Sequence, residues 1–169
     1  MALIVPGKSV IEKLSKAAFD ISEYVVDIAR KEELAPGLSP LEGGVTVHLA
    51  CHGRAQNIGQ KAAEMLRLLP GSDVTVIERC SGHGGLWGVL KENFETAVKV
   101  GRPVARQALR NAKPFLSSEC PLAGMHILQG MEMVVTGEVL PGRPLHPIEL
   151  VARSYGIPGV WSEGEPKIQ

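Results

Sequence analysis

An α/β fold built on a parallel sheet is the architecture this sequence predicts, and three observations predict it. Short runs rich in β-formers recur at Val45–Leu49, Val74–Ile77 and Phe115–Ser118. Each is followed by a stretch of helix-forming residues, the signature of strand–helix–strand crossovers in a Rossmann-like sheet with flanking helices. A cysteine follows each run within two or three residues, at Cys51, Cys80 and Cys120. Crossovers of one hand bring the carboxyl ends of parallel strands to one edge, so the three thiols are expected together there.

The elements follow in order. Ser9 with Glu12 and Asp20 with Glu23 have capping-box spacing, so the first forty residues read as helical. From Ile21 the apolar positions Val25, Ile28 and Ala29 recur at helical spacing, and Pro36, Gly37, Pro40, Gly43 and Gly44 then mark a loop. Residues 1–44 are therefore expected to be a helical lead-in, 45–156 the α/β domain and 157–169 a tail. Gln56–Leu69 reads as a helix stopped by Pro70-Gly71, and Ser81–Gly88 as a glycine-rich loop. Lys91–Asn111 reads as one or two helices around Gly101 and Pro103. A helix is expected from Leu122 to Met131 and a last one over Pro147–Tyr155 with proline in its first turn. Val134–Leu140 is ambiguous.

Composition limits the function. The chain has 169 residues, 44% of them hydrophobic, which is enough for one domain with a substantial core. Lys plus Arg and Asp plus Glu both total 18, and that balance argues against a nucleic-acid partner. No apolar run is long enough to span a bilayer, and the apolar stretch before Pro6 is too short for a signal peptide. A cytoplasmic location is the expectation. Three cysteines without an export signal do not make a disulfide framework.

Thiolates at one sheet edge suit iron–sulfur clusters or zinc, both of which take soft sulfur ligands. Helix N-termini nearby favour the anionic thiol. Gly82, Gly84 and Gly85 allow backbone to wrap closely around a bulky inorganic group. Three cysteines leave a fourth position to solvent, substrate or a histidine, and His52 and His83 stand beside Cys51 and Cys80. No short zinc-finger spacing is present, because the thiols come from separate loops.

The runs HLACHGRAQNIG, ERCSGHGGLWGVLKENFETAVKVG, SSECPLAGMHILQGM and LHPIELVARSYG resemble the cysteine-rich CCG domain. That family occurs in iron–sulfur subunits of the anaerobic glycerol-3-phosphate dehydrogenase, glycolate oxidase and heterodisulfide reductase types. Its pattern is a first cysteine, a CCG triplet and a CxxC motif at long intervals. Cys51 matches the first cysteine, Cys80 the first of CCG and Cys120 the first of CxxC, whereas Ser81 and Ala123 stand at two positions the family fills with cysteine.

The resemblance implies an electron-transfer domain of an oxidoreductase subunit, with an iron–sulfur cluster of the 4Fe–4S type on Cys51, Cys80 and Cys120. A five-cysteine noncubane centre is not available. The remaining alternatives are a cluster with His83 or His52 as fourth ligand, a cluster with an open iron, and a site that holds zinc or nothing in a docking module. The resemblance also implies partners: a flavin-containing dehydrogenase subunit, a ferredoxin-like domain and electron flow toward quinone. Through such partners the chain would lie against the inner face of a membrane.

Other features read as structural. His48 has opposite parity to the apolar residues of its strand and is expected to be a hydrogen-bonded core histidine. His126 and His146 read as packing or capping residues, Trp87 as a core or interface residue, and Arg54, Gln56 and Asn57 as a solvated helix start. Ser81–Gly85 lacks both the dinucleotide and the phosphate-loop spacing, and no Gly-x-Ser-x-Gly elbow accompanies Ser81.

Overall fold

The computed structural model describes residues 7–135 and 139–157. Three strands, β1 (Val45–His48), β2 (Val74–Ile77) and β3 (Phe115–Ser118), form a parallel sheet in the order β2-β1-β3. Val45 lies opposite both Val74 and Phe115, and His48 opposite both Ile77 and Ser118. The strand ends are therefore flush, and the loops that leave them start from one level. Every residue of β1 and β3 is buried, as expected of strands covered on both faces.

Strand alternation divides the core in two. Val45, Val47 and Phe115 pack with Val26 of α2 (Ile21–Lys31), Met65 and Leu66 of α4 (Lys61–Arg67), and Leu150 and Val151 of α7 (Pro147–Ser154). Ile77 and Leu116 pack on the other face with Val104, Ala105 and Ala108 of α5 (Lys91–Asn111) and Ile127 and Met131 of α6 (Pro121–Glu132). β3 has an outer edge that needs backbone partners. Leu145 supplies them through a single parallel bridge, donating its N–H to Leu116 and accepting from Ser118 N–H and the Ser117 hydroxyl.

Several local expectations change. The helix expected over Gln56–Leu69 is shorter than expected: a one-turn helix, α3 (Cys51–Ala55), ends before it, and α4 starts only at Lys61. Asn57 and Gly59 between them adopt φ of 56° and 78°, which breaks the helical path. α5 is one continuous 21-residue helix through both Gly101 and Pro103. α1 (Lys8–Ala17) begins without a side-chain cap, so Ser9 lies inside the helix instead of capping it. Asp20 caps α2 by accepting from Ser22 N–H at 2.8 Å, one residue earlier than Glu23 spacing suggested. His146 does cap α7, accepting from Ile148 N–H, while Glu149 reaches back to His146 N–H. Of the predicted tail, 158–169 lie outside the described residues, as do 136–138 of the ambiguous stretch. No described helix is long and apolar enough to cross a membrane.

Candidate metal centre

The carboxyl edge of the sheet carries the three thiols. Cys51 opens α3 just past β1, Cys80 lies three residues past β2, and Cys120 is the N-cap of α6 just past β3. All three are free; Cys51 and Cys80 are exposed and Cys120 is half-buried.

Beneath them a buried relay fixes the loop starts. His48 Nε2 lies 2.8 Å from the Arg79 carbonyl, which only accepts, so Nε2 carries the proton. Its Nδ1 then accepts from the Ser118 hydroxyl at 3.1 Å, and Ser118 Oγ accepts from Cys120 N–H at 3.3 Å. One histidine on the central strand thus ties the residue before Cys80 to the turn that holds Cys120. Burial keeps this imidazole below its usual pKa, and it stays neutral, as the relay requires. The structural role expected of His48 is what the hydrogen bonds show.

Above the relay, Cys80 Sγ accepts from Gly82 N–H at 3.4 Å. Ser81 is 1% exposed, and its hydroxyl lies 2.9 Å from His83 Nδ1. His83 Nε2 in turn faces Cys120 Sγ at 3.8 Å. Burial lowers the pKa of His83, and the proximity of His126 adds to the effect.

Cys51 stands apart from this arrangement, accepting a 3.4 Å hydrogen bond from Arg54 Nη2 on its own helix. The Arg54 guanidinium also feels the charges of Cys51, Glu78 and Cys80. His52 is exposed, and its electrostatic neighbours are Glu119 and His146. Burial, reinforced by Asp20, pushes the Glu119 carboxyl above its usual range, with His52 opposing. The structure therefore brings His83 to a thiol and turns His52 toward a different set of groups. Among the described residues, no three His, Cys, Asp or Glu side chains close into a group able to hold a metal ion. The thiols share the edge, and the sulfur–imidazole contact described there is Cys120 with His83.

The glycines divide as well. A Cβ on Gly82 would stand 2.2 Å from the Ala97 carbonyl, so its missing side chain makes room for α5. Gly84 and Gly85 have φ of 56° and 66°, and a Cβ on Gly85 would meet nothing within 4 Å. Of the three, Gly85 has the open space that an approaching inorganic group needs. A groove of about 630 Å³ elsewhere, lined by Phe19, Asp20, Asn57 and Ile58, contains no thiol.

Three thiols and one imidazole near the ends of neighbouring strands are residue types that suit a soft metal or an iron–sulfur cluster. The chain is similar to a subunit of the anaerobic glycerol-3-phosphate dehydrogenase of Escherichia coli K12. The two are 29% identical over 118 residues, 69% of this chain and 28% of that protein. It is also similar to a subunit of the dihydromethanophenazine:CoB–CoM heterodisulfide reductase of Methanosarcina barkeri, 26% identical over 144 residues, 81% of this chain and 34% of that protein. The chain thus spans about a third or less of the length of these relatives. No family model matches the sequence, and no solved structure matches it.

Proposed function

We propose that this chain is an iron–sulfur electron-transfer domain of an oxidoreductase subunit, with Cys51, Cys80, Cys120 and His83 as the donors. The observation that carries the reading is the contact between His83 Nε2 and Cys120 Sγ, on an edge where two further thiols end neighbouring strands. Both relatives are named as subunits of a dehydrogenase or a reductase, which supports an oxidoreductase assembly. A cluster held here supplies one-electron transfer. The chain's own residues do the rest. The His48 relay sets the spacing between the Cys80 loop and Cys120, Gly82 N–H donates to Cys80 sulfur, and Gly85 leaves room above the loop. Such N–H···S bonds tune a cluster's potential. In this reading the cluster is of the 4Fe–4S type, and flavin chemistry belongs to a partner dehydrogenase subunit. A ferredoxin-like domain and a quinone complete the electron path, and the complex sits at the cytoplasmic face of a membrane.

Iron, acid-labile sulfide and zinc per chain, measured on anaerobically purified protein, test the reading. Matching iron and sulfide, lost on Cys80→Ala, support it; a variant that keeps both in full would sink the ligand assignment. A second reading has one observation in its favour, the lack of a closed three-donor group among the described residues. In it the chain is a docking module that holds zinc or no metal. A colourless protein that takes up no iron on anaerobic reconstitution would decide for that reading.

A further inference from the structure

We propose that Ser81 is the positioning residue that makes His83 a nitrogen ligand of the centre: its hydroxyl oxygen receives the Nδ1–H end of the imidazole and leaves the Nε2 lone pair facing Cys120. The proposal rests on the iron–sulfur reading above and adds to it the means by which a histidine completes the donor set.

The geometry is specific. Ser81 Oγ and His83 Nδ1 are 2.9 Å apart, and Ser81 is 1% exposed, so the serine end of that bond is shielded from water. The backbone on both sides of His83 is pinned. A Cβ on Gly82 would stand 2.2 Å from the Ala97 carbonyl, and one on Gly101 would stand 2.2 Å from the Ser81 carbonyl. Loop and helix α5 therefore meet backbone to backbone at Ser81–Gly82. Beyond the imidazole, Gly88 N–H donates to the His83 carbonyl at 2.7 Å, and a Cβ on Gly88 would stand 2.4 Å from that oxygen. A side chain held at Nδ1 on a backbone fixed at both ends has little freedom left, and its Nε2 points at Cys120 Sγ, 3.8 Å away.

Two other imidazoles are committed elsewhere. Both nitrogens of His48 are used in the relay, and His146 Nδ1 caps α7. His52 lies two residues from Arg54 on α3, about 200° around the helix, while Arg54 is the residue that reaches sulfur. Metal-bound histidines are oriented in this way, by a hydrogen bond from the other ring nitrogen to a fixed acceptor. The serine hydroxyl thus serves the centre without ligating it. A neutral nitrogen in place of a thiolate removes one negative charge from the cluster's surroundings and raises its potential, as histidine ligation does in other iron–sulfur centres.

Two measurements on the full chain test this. The first uses metal-free protein, with ¹⁵N resonances of the His83 ring reporting the tautomer. The wild type is expected to carry its proton on Nδ1, Ser81→Thr to keep it there, and Ser81→Ala to shift it toward Nε2. A wild-type proton on Nε2 overturns the proposal without recourse to any variant. The second uses anaerobically reconstituted protein, with ¹⁴N hyperfine coupling to the reduced cluster as readout. The coupling is expected in the wild type and in Ser81→Thr, lost in His83→Ala, and lost or strongly reduced in Ser81→Ala. Unchanged coupling in Ser81→Ala overturns the positioning role. A wild type that assembles no cluster overturns the ligand role together with the reading it rests on, and the tautomer result then shows whether the Ser81–His83 bond itself was right.

Discussion

The loops after β1 and β2 each deliver a thiol to the same edge, and they are built differently. The β2 loop is braced: His48 holds the Arg79 carbonyl from below, Gly82 abuts the α5 backbone, and Ser81 and Gly88 N–H fix His83. The β1 segment is a five-residue helix and a turn, with Cys51 exposed and held by one hydrogen bond from Arg54. A centre assembled here would therefore find Cys80, His83 and Cys120 linked by part-buried hydrogen bonds, and would take Cys51 from a short helix on which a single hydrogen bond reaches its sulfur. The difference teaches that pre-organisation at this edge is a property of the loop's packing on α5, not of the cysteines.

Paired glycine substitutions break the comparison most sharply. Gly82→Ala places a Cβ against the Ala97 carbonyl and Gly101 N at a φ of +90°. Left-handed strain of about 1–2 kcal/mol adds to an overpacking cost of about 1–3 kcal/mol, so a loss of roughly 2–5 kcal/mol is expected by chemical denaturation. Loss below about 1 kcal/mol would mean that the loop is not clamped to α5. Gly59→Ala, in the β1 segment, keeps the strain at a φ of +78° but meets nothing within 4 Å. Its expected cost is about 1–2 kcal/mol, with the folded structure unchanged. Equal losses for the two variants would erase the distinction drawn here.

The second largest effect comes from the relay. His48→Ala removes a fully buried ring and strips hydrogen bonds from Ser118 and the Arg79 carbonyl. A loss of about 2–4 kcal/mol is expected, from cavity and unsatisfied polar groups together. The same residue fixes the sign of a pH effect. Burial lowers its pKa from the usual 6.5; the bond to Arg79 opposes this, and the charges of Arg54 and His83 reinforce it. In the window below 6.5 the unfolded chain binds a proton that the folded chain refuses, so stability falls as pH falls. His48→Phe should flatten that slope in denaturation curves between neutral and mildly acidic pH; an unaltered slope would assign it to other groups.

Much of this was legible in the sequence, for definite reasons. β2 and β3 have the bounds expected of Val74–Ile77 and Phe115–Ser118, because each is a short run of strand formers flanked by residues that end a strand, Asp73 and Glu78 for one and Pro114 and Glu119 for the other. The polarity of the crossovers was enough to place all three cysteines at one edge. The parity of His48 marked it as a core residue, yet its link to Cys120 N–H runs through Ser118, 70 residues away, and local spacing cannot show that. The glycines were legible as a class and not one by one. Gly82 answers to a carbonyl on α5, a partner fixed by tertiary packing, whereas Gly85 faces open space. The helix drawn through Gln56 failed because Asn57 and Gly59 enter left-handed conformations that helical composition around them did not announce. That His83 is the histidine in contact with Cys120 was likewise not legible, because it depends on how the β2 loop folds toward the start of α6.

The smallest expected effect is on Arg54, and it sharpens the contrast by what it leaves unchanged. Arg54 is exposed and bound to the molecule chiefly through Cys51 sulfur, so Arg54→Gln should leave the unfolding midpoint where it is. What should change is the chemistry of one thiol. A guanidinium beside a sulfur offers N–H donors to the carbonyl oxygen of an incoming amide reagent. Removing it should slow alkylation of Cys51 by a neutral reagent such as iodoacetamide, affect Cys80 less and leave Cys120 unaltered, because Cys120 has His83 as its neighbour. Site-resolved mass spectrometry of metal-free protein reads the three rates in one sample. Equal slowing at all three sites would mean that Arg54 acts on the whole edge and that Cys51 is less isolated than its contacts indicate. Slowing confined to Cys51 would establish that the β1 segment carries its own electrostatic partner and that the braced loop does without it.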